Sequence, residues 1–241
     1  MLDFLVPDWP APANVQARQT QRGGGVSPAP WASLNLGDHV GDDPARVAAN
    51  RARLLAELPA PPLWLRQVHG TVVVDAATSA ADSEADASFS RVAGVVCAAM
   101  TADCLPVLFC DRAGSVVAAA HAGWRGLLAG VLEQTLAAMA VAPGEVLAWL
   151  GPAIGPESFE VGAEVRAAFV ARDPASAAAF RAHGDGKWLA DLYALARQRL
   201  AAAGVAGVFG GGACTFADGE RYFSFRRDGV TGRMASLIWL A

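Results

Sequence analysis

The stretch VAGVVCAAMTADCLPVLFCDRAGSVVAAAHAGWRG, residues 92–126, decides the fold. It contains three apolar runs, at residues 92–100, 107–109 and 115–120, with no helical pattern between them. Short apolar runs bounded by turn residues are typical of buried strands. The third run continues through HAGWRG into an amphipathic pattern, which predicts a helix that ends near residue 140. Successive strands without a helix between them favour a mixed sheet over a regular alternation of strand and helix.

Helices and strands are predicted on both sides of this stretch. A helix at residues 44–57 begins with Asp43, a good N-cap, and Pro44, which suits the first helical position. The other predictions are helices near residues 163–171 and 189–202 and strands at residues 63–68, 72–74, 146–150, 205–209, 222–225 and 236–240. Since no repeat or long linker divides the chain, we expect a single compact α/β domain (mixed α+β) over residues 1–241, with sheet layers flanked by helices. Residues 1–20 are expected to form a poorly defined N-terminal segment.

Composition and charge exclude several classes of protein. A net charge of −4 over 241 residues leaves no basic face for nucleic acid. The N-terminus lacks the basic and apolar regions of a secretory signal, and glycines interrupt the charge-free residues 200–217, which excludes a membrane span there. The four cysteines have irregular spacings, which is typical of reduced thiols and not of a disulfide framework. We therefore expect a cytoplasmic protein that binds neither nucleic acid nor membranes.

Three segments place a metal-binding or nucleophilic side chain where an apolar run stops. These side chains are His69 in LWLRQVHG, Cys104 in AAMTADCLPVLF and His121 in VVAAAHAGWRG. Loops at strand ends converge on one rim of a mixed fold, so the three residues are candidates for a common site. Two imidazoles and one thiolate, with a fourth position open, are the ligand set of a catalytic zinc. Taken singly, each histidine is better explained as a structural residue and Cys104 as a buried thiol.

Four further residues are candidates for binding substrate. Asp103, next to Cys104, either orients a ligand imidazole or caps backbone amides of its own turn. Arg125 lies near a predicted helix start, where amides and the helix dipole favour a phosphate or carboxylate. In a regular strand the side chain of Arg66 would lie on the opposite face from that of His69, so Arg66 is a weaker candidate than Arg125. His39 is in a loop rich in glycine and aspartate, where it either lines the site or faces solvent.

The chain resembles the laccase-domain or polyphenol oxidoreductase family (YfiH-like), whose members are also described as purine nucleoside phosphorylases. The resemblance covers nearly all of the chain after the first twenty residues. It is carried, in this order, by GGVSPAPWASLNLGDHVGDDPARVAANR, RQVHG, ADA, TADCLPVLF, HAGWRG, LGPAIGPESFEVG and CTFADGERYFSFRRDGVTGRMASLIWL. One departure is Trp31, where tyrosine is more usual, and it affects no candidate metal ligand.

The resemblance implies a compact mixed α/β fold similar to the cysteine-hydrolase-like fold of certain toxin deamidases. It also implies that His69, Cys104 and His121 are the catalytic residues and the ligands of Zn²⁺, with copper able to occupy the site under some conditions. Its implied reactions are phosphorolysis of adenosine, inosine, guanosine and methylthioadenosine, and deamination of adenosine. The partners are then a purine nucleoside and phosphate, and the protein is expected to be a monomer or a homodimer.

Other functions stay open at the level of sequence. An amide hydrolase that edits peptidoglycan precursors could use zinc, or Cys104 as nucleophile with His121 as base. A multicopper oxidase is disfavoured, because a blue-copper site takes two histidines and the chain has four histidines in all. A binding protein with a structural zinc needs a fourth protein ligand, such as His39 or Asp103.

Overall fold

The computed structural model describes residues 2–241. Its strands are β1 (Phe4–Leu5), β2 (Val15–Thr20), β3 (Val73–Asp75), β4 (Ala87–Ser90), β5 (Cys97–Thr101), β6 (Leu105–Asp111), β7 (Val117–Ala122), β8 (Val146–Leu150), β9 (Glu160–Val161), β10 (Phe180–Ala182), β11 (Trp188–Ala190), β12 (Gly207–Gly210) and β13 (Met234–Leu240). Its α-helices are α1 (Pro44–Leu55), α2 (Trp124–Ala129), α3 (Val131–Met139), α4 (Ala163–Arg172), α5 (Leu192–Ala202) and α6 (Phe225–Asp228). Short 3-10 helices lie at Pro143–Glu145 and Pro174–Ala179.

The central sheet is mixed, as the sequence predicts. Its strand order is β12-β8-β6-β7-β4-β3. The outer pairs β12 with β8 and β3 with β4 are parallel, whereas β6 is antiparallel to both β7 and β8. Every residue of β6 and β7 is buried, which agrees with their mostly apolar sequence, in which Asp111 and His121 are the exceptions.

The alanines of β7 alternate between two cores because successive side chains point to opposite faces of a sheet. Ala118 and Ala120 join the core beneath α3 and α5, whereas Ala119 joins the core on the other face. That second core is shared with a four-stranded sheet of order β1-β2-β13-β5. Helix α1 covers the far side of this sheet through Leu54, which packs with Leu237. A three-stranded sheet, β10-β11-β9, completes the fold.

The N-terminal segment, which is expected from the sequence to be poorly defined over residues 1–20, contains two strands, β1 and β2. Residues 15–20 form β2, which pairs with both β1 and β13. Val15 and Ala17 are buried in the core between the two main sheets, together with Ile238. The sequence signal for this strand is weak, because Val15 and Ala17 are its only apolar residues and so short an alternation does not predict a strand.

Three other predictions differ from the structure. The helix after HAGWRG is broken at Gly130, whose φ of 112° lies in the left-handed region, so α2 and α3 are separate. The predicted strand at 222–225 is a turn that leads into α6, where the Ser224 side chain accepts from the Arg227 amide. The predicted strand at 63–68 is reduced to isolated bridges at Leu63 and Arg66.

The helices are short. The longest in residues 2–241 is α1, with 12 residues, beginning at Pro44 after the predicted N-cap Asp43. Across the described part of the chain, no helix has the length and apolar character needed to cross a membrane.

Candidate active site

His69, Cys104 and His121 meet at one end of the central sheet. Their ligand atoms all lie within 4.8 Å of one another, and Cys104 Sγ is 3.7 Å from His69 Nε2. The two imidazole rings are in an edge-to-face arrangement with centroids 4.8 Å apart. The register explains part of the convergence, because the start of β6 lies beside the end of β7 in an antiparallel pair and Pro106 is opposite His121. The structure therefore brings together the three predicted ligands.

One buried carboxylate, that of Asp86, positions two of these residues. Its Oδ1 lies 2.8 Å from His121 Nδ1 and also accepts from the backbone amide of His69 at 2.9 Å. Its Oδ2 accepts from the amides of Val68 and Gly70 at 3.2 and 2.6 Å. Burial raises the pKa of Asp86, but the contact with His121 and the amide hydrogen bonds outweigh it and lower the pKa. Asp86 stays ionised and fixes the tautomer and ring orientation of the histidine.

The donor set fits a zinc ion. Zinc bonds of about 2.0 Å to nitrogen and 2.3 Å to sulfur in a tetrahedral arrangement place N and S about 3.5 Å apart, close to the 3.7 Å between His69 Nε2 and Cys104 Sγ. Because Asp86 occupies Nδ1 of His121, Nε2 is the nitrogen that remains for a metal. Gly123 leaves room for the cluster, since a Cβ there would lie 2.8 Å from His69 Cδ2 and 2.9 Å from Cys104 Sγ. The same donors also suit copper.

Without a metal, the electrostatics of the cluster favour a thiolate at Cys104 and a protonated imidazole at His121. Burial raises the pKa of the Cys104 thiol, but the charges and hydrogen bonds of His121 and His69 outweigh it and lower the pKa to about 6. A thiolate is the ligand form of cysteine, so Cys104 itself requires little further deprotonation to bind a metal at neutral pH. Burial lowers the pKa of His121, but Cys104 and Asp86 together raise it to about 9, so the imidazole must lose a proton before its Nε2 can bind a metal.

A cavity of about 420 Å³ opens over the cluster, and we call it the polar lobe. Besides the three candidate ligands, it is lined by His39, Gln67, Met100, Thr101, Ala102, Arg125, Phe225 and Arg233. Two of these side chains are cations and none is a carboxylate, so the lobe is suited to an anion.

A second cavity of about 240 Å³ adjoins it, and we call it the apolar lobe. It is lined by Trp124, Ile154, Phe159, Leu192 and Phe225, together with Ala102, Asp103, Arg125, Arg226 and two of the candidate ligands. His69 and Cys104 border both lobes, so the cluster lies where an apolar and a cationic compartment meet. Pockets of this composition are typical of small-molecule sites.

The predicted substrate-binding residues have different positions. Arg125 borders both lobes, with its guanidinium 4.5 Å from the ring of Trp124. His39 borders the polar lobe from its loop. Arg66 is exposed, forms a 3.0 Å ion pair with Glu84 and lines neither lobe.

Asp103 lines the apolar lobe but does not orient an imidazole or cap its own turn. Its carboxylate accepts from the Thr215 hydroxyl at 2.6 Å and from the Arg226 amide at 2.7 Å. Asp86 takes the orienting position instead. Sequence reasoning missed this role, for which the available signal was an aspartate between two alanines, directly before a strand. It also missed Arg233 and Phe225, which lie in the C-terminal segment.

Comparisons with known proteins identify the family of this chain. Residues 16–241 match the family described as multi-copper polyphenol oxidoreductase laccase. Relatives named purine nucleoside phosphorylase YfiH, from Shigella flexneri and from Escherichia coli (strain K12), are each 59% identical over 243 residues that cover 100% of both chains.

Solved structures confirm the predicted mixed α/β single domain. A Neisseria meningitidis protein superposes with a TM-score of 0.97 at 57% identity, covering 98% of each chain. YlmD from Geobacillus stearothermophilus superposes with a TM-score of 0.89 at 33% identity, covering 99% of this chain and 98% of that one. The chain therefore belongs to the multi-copper polyphenol oxidoreductase laccase family, whose members include relatives named purine nucleoside phosphorylase.

Proposed function

We propose that the protein is a zinc-dependent purine nucleoside phosphorylase that acts on adenosine, inosine, guanosine and methylthioadenosine and also deaminates adenosine. The observation that carries the proposal is the pair of lobes, one cationic and one apolar, that meet at His69 and Cys104. A nucleoside and a phosphate need such neighbouring compartments. The names of the relatives support the same substrate class.

The apolar lobe is suited to the purine base. Trp124, Phe159 and Phe225 line it, and aromatic faces stack on flat heterocycles. The side chain of Phe225 is 57% exposed and borders both lobes, which leaves its ring available to a ligand. A base in this lobe would place its ribose over the cluster.

The polar lobe is suited to phosphate, and Arg125 contributes one positive charge to it. In phosphorolysis an oxygen of phosphate forms a bond to the ribose C1′ while the bond from C1′ to the base nitrogen breaks. The base leaves with the electron pair and takes up a proton. Cations in the polar lobe would hold the attacking anion beside the ribose, which converts a bimolecular encounter into a positioned reaction.

The candidate ligands support the metal part of the proposal. His69, Cys104 and His121 would hold the ion, and Asp86 would keep His121 in the required tautomer. When bound, zinc supplies the Lewis acid that activates water for deamination.

A second candidate is an amide hydrolase that edits peptidoglycan precursors. The line from Cys104 through His121 to Asp86 favours it, because a thiol, a base and an orienting carboxylate form a nucleophilic triad. Such an enzyme would release an amino acid from a peptide-bearing nucleotide sugar with no need for phosphate.

A multicopper laccase is disfavoured by the positions of the histidines. His183 faces Glu160, 3.7 Å away, and lines neither lobe. Only His39 then remains beside the cluster, which is too few imidazoles for further copper ions.

The test is purine-base release from inosine and adenosine by protein of known zinc content, with and without phosphate. We expect phosphate-dependent release that is lost in Cys104→Ala together with the zinc. Cys214→Ala is the matched control, since that half-buried thiol lies outside the cluster. Base release that persists in Cys104→Ala with full zinc would contradict the proposal. Zinc at one per chain without any base release would favour the amide hydrolase.

A further inference from the structure

Arg233 borders the polar lobe as a cation without a carboxylate partner. Within residues 2–241 no acidic side chain forms an ion pair with it. Its Nη1 donates to the carbonyls of Thr231 and Gly232 at 3.2 and 3.0 Å, which anchors one edge of the guanidinium. A guanidinium has five N–H donors, so the other donors remain for a ligand. Half-buried cations with free donors at a cavity wall are typical of anion sites.

The backbone of Arg233 is fixed by Asn35. The Asn35 Oδ1 accepts from the amides of Arg233 and Gly37, each at 2.9 Å. The Asn35 Nδ2 donates to the Gly37 carbonyl at 3.0 Å and to Asp42 at 2.9 Å. One buried amide therefore ties the loop at residues 35–37 to the start of β13, from which Arg233 extends.

Gly37 shapes the path of the Arg233 side chain. A Cβ at Gly37 would lie 2.7 Å from Cγ of Arg233 and 3.1 Å from its Cβ, so any larger residue would displace the arginine stem. The guanidinium also lies 6.0 Å from the ring centroid of Phe225. The arginine is thus held on three sides, by backbone carbonyls, by a glycine and by an aromatic ring.

Arg125, the other cation of the lobe, lacks this support. It is exposed and rests on the ring of Trp124, and its guanidinium makes no hydrogen bond to the described protein. A preorganised donor loses less conformational freedom when it binds an anion than an exposed one does. The better anchored arginine should therefore contribute more of the affinity.

We propose that Arg233 is the principal ligand of inorganic phosphate in the polar lobe and that Asn35 and Gly37 are its positioning residues. The inference rests on the proposed function and deepens it, because it names the residue that binds phosphate, the co-substrate of phosphorolysis. It also makes the C-terminal segment part of the site, although the candidate metal ligands are all more than a hundred residues earlier.

The first experiment measures phosphate binding by calorimetry to zinc-loaded protein without nucleoside. Arg233→Gln should raise the Kd for phosphate about 10- to 100-fold, because a charge-assisted hydrogen bond is lost. Arg125→Gln should have a smaller effect. Arg66→Gln is the matched control, since that exposed arginine lines neither lobe, and it should bind phosphate like the parent protein.

A second variant, Gly37→Ala, moves Arg233 without removing its charge. It should weaken phosphate binding several-fold while leaving zinc content and the melting temperature near those of the parent. In steady-state assays Arg233→Gln should raise the KM for phosphate and leave the KM for inosine within about twofold. Phosphate affinity that is unchanged in Arg233→Gln, or that falls more in Arg125→Gln, would overturn the inference.

Inosine 5′-monophosphate separates inorganic phosphate from the phosphate of a nucleotide. If Arg233→Gln weakens only nucleotide binding, Arg233 recognises a substrate phosphate and the inference is wrong. The two proposals also fail separately. If Arg233→Gln loses phosphate binding but the parent protein shows no phosphate-dependent base release, the phosphorylase proposal is wrong and the assignment of the anion site stands. If the parent protein and Arg233→Gln show the same phosphate-dependent base release, only the assignment of the anion site to Arg233 is wrong.

Discussion

Replacing Asp86 by asparagine should lower zinc affinity by more than a loss of stability alone would explain. The carboxylate accepts from His121 and His69 through one oxygen and from Val68 and Gly70 through the other. An asparagine side chain offers one oxygen and one NH₂ group, so in either orientation two N–H donors face another donor.

The magnitude follows from those two lost hydrogen bonds. A fully buried donor left without an acceptor costs about 1–3 kcal/mol, but the amides of Val68, His69 and Gly70 are only partly buried, so Asp86→Asn should lower the free energy of unfolding by about 1–4 kcal/mol. Loss of a carboxylate behind a ligand histidine lowers metal affinity about 10- to 100-fold. The whole domain is expected to be stable by about 5–15 kcal/mol, so the variant should still fold.

The assay is competition for zinc with a chromogenic chelator, alongside urea unfolding in the presence of EDTA. Asp111→Asn is the matched control, because its buried carboxylate accepts from the Ser115 amide and hydroxyl and from the Val116 amide, at the other end of β6. The control should lose stability and keep zinc affinity. Equal zinc affinities in Asp86→Asn and the parent protein would refute the role given to Asp86.

Three further predictions concern the cluster, the pH dependence of stability and the apolar lobe. Gly123→Ala should lower zinc affinity at least about tenfold, because the added Cβ crowds His69 and Cys104. Gly144→Ala is the control and should keep the parent's zinc affinity, since nothing lies within 4 Å of its added Cβ. Chelator competition measures the zinc affinity of both variants. Burial raises the pKa of Asp111, but hydrogen bonds from the adjoining turn outweigh it and lower the pKa. Its stabilisation is thus fully present above the unfolded pKa of about 3.9 and is lost as the pH falls through the lower folded pKa. The difference in unfolding free energy between the parent and Asp111→Asn should therefore shrink between about pH 5 and pH 3 in urea titrations, and a constant difference would count against this assignment. Phe225→Ala should raise the KM for inosine about 2- to 10-fold through lost stacking, with the exposed Val92→Ala as control; equal KM values would remove Phe225 from the base site.

The sequence determined those features that depend on neighbours in the chain. Apolar runs located most of the strands, because burial of a strand leaves a continuous local pattern. Asp43 and Pro44 located the start of α1, since capping uses residues within one turn. His69, Cys104 and His121 were identifiable because each follows or interrupts an apolar run, and ends of neighbouring strands meet at one edge of a sheet.

Only the tertiary structure decided which polar groups support that site. Asp86 holds the amide of a residue 17 positions earlier and the imidazole of one 35 positions later. The amide of Arg233 bonds to Asn35, which is 198 positions away. Such pairs depend on strand register and on loops that pack against distant segments of the chain. Local residue patterns do not indicate either of these. The same reason hid β2, whose pairing with β13 joins opposite ends of the sequence.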